Sequence, residues 1–176
     1  MTRWIVLFRG VNVGGHRKLP MAALRKALSE AGFEQVQSYI QSGNVALGSQ
    51  LDADAAGRIV RAVVLRDFGF EPDILLIDAA TLQAALDAAP FAPETDLSRA
   101  HLFFHLDAAA PAEIGDLAPG PGDSARLAAG AIAHYLETPD GVSNSRLAEL
   151  LSRRLKDNAT ARNLRTCRKL LELAGT

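Results

Sequence analysis

The stretch Arg9-Gly10-Val11-Asn12-Val13-Gly14-Gly15-His16-Arg17-Lys18 is the part of this chain best equipped to meet a ligand. Glycines let the backbone come close to a bound group, and Arg9, Arg17 and Lys18 supply positive charge. The stretch ends just before a helix start at Pro20, where unpaired N–H groups and the positive end of a helix dipole add to the field. These are the ingredients of an anion site. The glycine spacing is neither that of the dinucleotide fingerprint nor that of the Gly-Lys-Ser/Thr phosphate loop. A purely local role, with glycines in left-handed turns and solvated cations, fits the same residues equally well.

Two further segments carry concentrated polar chemistry. Gln41-Ser42-Gly43-Asn44 lies between two strand-like runs, and a right-handed crossover places the end of the second strand on the same rim as the end of the first. The third segment runs from Lys156 through Asn163 to Lys169; there Thr160 is the expected helix cap, with Arg162 and Asn163 in the first turn. A cation is not favoured at that end of a helix, which suggests a partner for Arg162. The expected ligand site is therefore one polar cluster of Arg9, Asn12, Gly14, Gly15, Lys18, Gln41, Ser42, Asn44, Arg162 and Asn163. Arg9, Lys18 and Arg162 would neutralise an anionic group, Asn12, Gln41 and Asn44 would orient the ligand, and the glycines would expose backbone donors. If a proton moves there, His16 is the first candidate to carry it and Asp157 the second. Whether the ligand is transformed or held stays open.

Other constellations are weaker. His101 and His105 are four strand residues apart, about 13 Å, too far for a shared metal. His134 alternates with Ile132 and Leu136 as a packed or interfacial residue, and Cys167 sits on an apolar helix stripe. Ser42 has no identifiable base and no nucleophile-elbow pattern. No cofactor and no metal are expected.

The elements that must position these residues follow from periodicity and punctuation. Residues 3–8 read as a buried strand, and Met21, Leu24, Leu28 and Ala31 as one face of a helix that Gly32 stops. Residues 36–40 and 45–47 form a hairpin about the 41–44 turn. Asp52 or Asp54 caps a helix marked by Ile59, Val60, Val63, Val64 and Phe68 and closed by Gly69, and residues 74–77 make a fourth strand. The order βαββαβ is the ferredoxin-like pattern. A short helix over 81–89 leads to Pro90-Phe91-Ala92-Pro93, read as a linker. Beyond it come a strand over 100–106, one or two helical turns within 111–117, a loop at 119–122, and a hairpin of 125–129 with 131–136. Two helices follow, capped at 143–145 and at Thr160. The expected fold is α+β: a ferredoxin-like domain over 1–89 and a smaller α+β domain over 90–176, whose order partly echoes the first half as a divergent duplication would.

The chain has 176 residues, 48% hydrophobic and 22% charged, ample for a buried core. Its longest apolar runs, including Ile5-Val6-Leu7-Phe8 and Ile74-Leu75-Leu76-Ile77, fall far short of a membrane span, and Arg9 interrupts the first, so neither a membrane span nor a secretory leader is expected. With Cys167 the single cysteine, no internal disulfide is available, and a reducing cytoplasm is the expected setting. Charge is uneven: residues 1–36 carry +4, 37–140 carry −10 and 141–176 carry +5. The basic ends admit a nucleic-acid module and the paired motifs admit a structural or assembly role. The acidic middle and the scarcity of stacking aromatics make a small phosphate- or carboxylate-bearing molecule the favoured partner.

Three segments together carry a resemblance. Arg9-Gly10-Val11-Asn12-Val13-Gly14-Gly15, Tyr39-Ile40-Gln41-Ser42-Gly43-Asn44-Val45 and Thr160-Ala161-Arg162-Asn163 resemble the hallmark segments of a bacterial family described as domain of unknown function 1697. The resemblance implies a ferredoxin-like architecture in at least the first domain and transfers no activity. An aromatic residue often follows the Arg-Asn pair in that family, where this chain has Leu164, and Lys is common where it has His16.

Overall fold

A computed structural model of the chain describes residues 1–107 and 111–175. It forms two compact units: Met1–Gln83 together with the chain from Arg168 on, and Ala84–Cys167. The first contains β1 (Thr2–Arg9), α1 (Met21–Glu30), β2 (Glu34–Ser38), β3 (Asn44–Ser49), α2 (Ala53–Phe68) and β4 (Asp73–Asp78). The order βαββαβ is thus as read. The four strands make one sheet in the order β2-β3-β1-β4, with every neighbouring pair antiparallel.

Local chemistry sets most of these boundaries. Pro20 is the N-cap of α1 rather than its first residue. Asp52 accepts the Ala55 N–H at 2.8 Å to start α2, and Gly69 ends it in a left-handed conformation, φ 79°. Alternate residues Val6 and Phe8 of β1, with Val45 and Leu47 of β3, face Leu24 and Leu28 of α1 and Val60, Val63 and Val64 of α2. The opposite set, Ile5, Leu7, Ala46 and Ile77, is buried too. Buried on both faces, β1 is the apolar run that the sequence displays.

One boundary moves. β2 covers Glu34–Ser38 rather than 36–40. Past Ser38 the backbone leaves the ladder, because Ile40 adopts a left-handed conformation (φ 50°) and Tyr39 is tied to Asn44 through both main chain and side chain.

After β4 comes α3 (Ala79–Asp87), within which the two units divide. Asp78 accepts the Thr81 N–H at 2.7 Å, and its hydrogen bonds to Thr81 hold its carboxyl below the usual range. Residues 90–93 carry neither helix nor strand.

The second unit holds β5 (Ala100–His105), β6 (Arg126–Ala128), β7 (Ala133–Glu137), α4 (Arg146–Arg154) and β8 (Ala159–Asn163). From it starts α5 (Leu164–Ala174), whose later turns belong to the first unit. Its sheet runs β6-β7-β5-β8, again antiparallel throughout. Counted within each unit, both sheets read 2-3-1-4. Of the three candidate caps, Ser145 is the one that acts, accepting the Ala148 N–H at 3.0 Å to begin α4.

Two expectations for this unit are corrected. Residues 111–117 form no helix; Ile114 enters the core with Leu147, Leu151 and Leu155, and Arg154 holds Asp116 and the Glu113 carbonyl. Nor does Thr160 cap a helix. Residues 159–163 are a strand, with Leu102 opposite Arg162 and Phe104 opposite Thr160, and Asn163 caps α5 by accepting the Thr166 N–H at 2.9 Å. Among the described residues no helix is long and apolar enough to cross a membrane.

Candidate functional site

The end of β1 meets the 41–44 turn directly, as the topology requires. The Phe8 N–H donates to the Gly43 carbonyl at 2.9 Å, and the Asn12 amide donates to the carbonyls of Gln41 (2.6 Å) and Leu19 (2.9 Å). Asn12 also accepts the Leu19 N–H at 2.8 Å. Its side chain therefore ties both ends of the 12–19 loop to the turn, from a backbone in the left-handed region that asparagine tolerates, φ 57°.

Within that loop Val13 and His16 bridge across Gly14-Gly15, with the His16 N–H donating to the Val13 carbonyl at 3.2 Å. Both glycines have positive φ, 60° and 78°, as a two-residue hairpin turn with both central residues left-handed demands. Both are exposed.

Asn44 is fully buried and donates to the Tyr39 carbonyl at 3.1 Å and to Ser42 Oγ at 2.9 Å. Gly43 lies where a Cβ would come within 2.6 Å of Val11 Cγ2 and 2.7 Å of Phe8 Cβ. The turn is thus packed onto the end of β1 with no room for a side chain, while Gln41 and Ser42 face outward as exposed residues.

Charge gathers on the same rim. Arg9 and Arg17 both donate to Asp73 Oδ2, at 3.1 and 3.3 Å. Lys18, next in the chain, is exposed and makes no hydrogen bond or ion pair among the described residues. Asp73 is the member that sequence reasoning missed. Its signal was topological: β4 runs antiparallel to β1 with Asp73 opposite Arg9.

Arg162 and Asn163 belong to the second unit. Arg162 is buried and donates to Thr160 Oγ1 at 2.9 Å and to the Ala161 carbonyl at 2.7 Å. Burial pushes its guanidinium down to about 10, and burial pushes the neighbouring Cys167 thiol up to about 12, which leaves that thiol protonated and unreactive.

Histidines line one face of the second sheet. The His105 and His134 rings meet edge to face, centroids 4.4 Å apart, and each Nε2 reaches a main-chain oxygen, Gly130 at 3.0 Å and Ala112 at 2.9 Å. Nδ1 of His101 and of His134 is buried with no hydrogen-bond partner. Burial lowers the basicity of both rings. Among the described residues no group of three or more His, Cys, Asp or Glu could hold a metal ion.

Comparison with known proteins adds a relationship and no activity. No curated protein matches the chain. A conserved bacterial protein of known structure, SP0830 from Streptococcus pneumoniae, is similar over 98% of both chains at 25% identity, with a TM-score of 0.75. The family model described as "Protein of unknown function (DUF1697)" matches residues 1–135, a span that holds the first two hallmark segments, the glycine loop and the 39–45 turn. The chain belongs to the DUF1697 family.

Proposed function

We propose that the rim formed by residues 9–18 and 41–44 binds a small anionic molecule bearing a phosphate or carboxylate, in the cytoplasm. The first unit that carries it is ferredoxin-like in this reading, which its strand order and its antiparallel pairing support. The observation that carries the proposal is the clustering of cations: Arg9 and Arg17 both reach Asp73, and Lys18, exposed, follows Arg17 in the chain. Arg17 and Lys18 stand exposed beside the exposed Gly14-Gly15 turn. Asn12 and Asn44 have their amides engaged in holding the loop and turn. Contact with the ligand then falls to Arg9, Arg17, Lys18, Gln41, Ser42 and the glycine backbone.

For Arg162 and Asn163 a structural reading is favoured. The first is buried against its own strand, and the second caps a helix.

A thermal-shift titration with phosphate, sulfate and mononucleotides tests the proposal. A ligand at 100 times its Kd stabilises by about 2.7 kcal/mol. The double variant Arg9→Ala/Lys18→Ala should lose that shift while keeping its circular dichroism spectrum. Asp73→Asn, which removes the internal competitor, should strengthen anion binding. An unshifted wild-type melting curve across these anions rejects the site.

A further inference from the structure

The second unit holds a small cleft at the edge of its sheet, where β6 is the last strand. Arg126 stands opposite Glu137 there, and Ala128 opposite Tyr135. A short residue facing a large one, with no strand beyond, leaves a space of about 210 Å³ lined by these four residues together with Pro90 and Phe91. The Tyr135 hydroxyl donates to the Ala85 carbonyl at 2.9 Å, and a Cβ at Gly130 would come within 2.5 Å of the ring, so the ring is held at its tip and its flank. Phe91 meets it edge to face, centroids 6.0 Å apart. Glu137 supplies charge: its side chain is 11% exposed, its Oε1 accepts the Thr95 hydroxyl at 2.9 Å, and its Oε2 lies 3.5 Å from Arg126 Nε. That last distance exceeds the roughly 2.7–2.9 Å of a charge-assisted hydrogen bond, and the Arg126 side chain is 74% exposed. A largely buried carboxylate thus lines the cleft while the one cation paired with it, among the described residues, stands mostly in water.

We propose that this cleft binds a small organic ammonium ion, its charge on Glu137 Oε2 and its apolar body against Phe91 and Tyr135. A carboxylate at one end and the negative faces of aromatic rings along the side both attract such a cation. An anion would be repelled by Glu137, and a neutral apolar molecule would strip water from that carboxylate without replacing it. The volume lies below the roughly 300–1,000 Å³ of pockets that take drug-sized ligands, which limits the occupant to about one ring or a short chain. Arg126 is the ligand's internal competitor and swings into water when the ammonium takes Oε2. Every residue of the cleft belongs to the second unit, so the proposal does not depend on the anion rim.

Calorimetric titration of the full chain with benzylammonium, benzyl alcohol and methylammonium separates the charge from the body. The wild type should bind benzylammonium about tenfold or more tightly than either of the others. Arg126→Gln should tighten benzylammonium by about two- to fivefold, the worth of an exposed ion pair, and leave benzyl alcohol unchanged. Glu137→Gln keeps an acceptor for Thr95 and removes the charge, and it should bring benzylammonium down to the level of benzyl alcohol. Phe91→Ala, at a half-buried position, should narrow the gap between benzylammonium and methylammonium. Because Arg126 is exposed, its variant tests the site even if Glu137→Gln unfolds. Equal binding of benzylammonium and benzyl alcohol by the wild type, a benzylammonium Kd weaker than about 10 mM, or an affinity that Arg126→Gln leaves unchanged overturns the proposal.

Discussion

Gly43 illustrates how much of the rim is settled by single residues. Its φ of 77° and the 2.6 and 2.7 Å approach that a Cβ would make to Val11 and Phe8 impose two separate costs on any substitution. A left-handed alanine costs roughly 1–2 kcal/mol, and overpacking against a buried strand adds about 1–3. Gly43→Ala is therefore expected to destabilise the protein by about 2–5 kcal/mol in a urea unfolding experiment, from the combination of these two terms. A loss below about 0.5 kcal/mol, the usual surface range, would show that the turn is not packed onto β1 as described. Ile40, three residues earlier, is the opposite case: its conformation is equally left-handed but its side chain is exposed, so strain there is not offset by packing.

At the scale of elements, the second unit depends on a histidine-bearing sheet face. His134 donates from Nε2 to the Ala112 carbonyl across 2.9 Å and so ties the irregular 111–117 segment to β7, while His105 packs edge-on beside it. Burial lowers the folded-state pKa of His101 and of His134 below the ordinary 6.5. Above about pH 6.5 both states leave these rings neutral and no stability is lost. Below it the unfolded chain takes up protons first, so stability falls with pH until the folded-state values are reached. Asp78, Asp96 and Asp123, held low by hydrogen bonds, stay ionised across that window. Between pH 7.5 and 5.5 the melting temperature should drop by about 2–4 °C per kcal/mol lost. His134→Gln, which keeps a donor for Ala112 and removes the titration, should flatten the slope. An unchanged slope in that variant would exclude His134 as its source.

At the scale of the molecule, two sheets of identical strand order stand in one chain, as a divergent duplication would leave them. They differ in what joins the first strand to the second: α1 with its glycine loop in the first unit, the irregular stretch that includes Pro111–Leu117 in the second. Among the described residues the glycine loop with its cations therefore has no counterpart in the second unit. Charge follows a similar asymmetry, −10 over residues 37–140 between basic ends. A long polyanion would meet repulsion wherever the acidic span is exposed, whereas a small anion meets only the rim. Single-stranded RNA is accordingly expected to bind no more tightly than about micromolar at physiological salt, the range of non-specific contacts. Submicromolar RNA affinity that mononucleotides fail to compete away would reverse this preference.

Where a feature depends on neighbours in the chain, sequence alone determined it. Asp52, Gly69 and Ser145 cap the helices expected of them, β1 is the doubly buried run it reads as, and the order βαββαβ follows from these signals. Convergence of the 9–18 loop with the 41–44 turn was also legible, because strand direction and crossover handedness leave one placement for them. Tertiary structure decided what depends on distant partners. Residues 159–163 satisfy a helix cap and a short strand equally well as a five-residue pattern, and pairing with β5 chose the strand. Asp73 became the shared partner of Arg9 and Arg17 only when β4 lay beside β1. The amides of Asn12 and Asn44, read as ligand groups, found backbone acceptors within the loop and turn, since a buried or half-buried amide without such partners would carry an unmet desolvation cost.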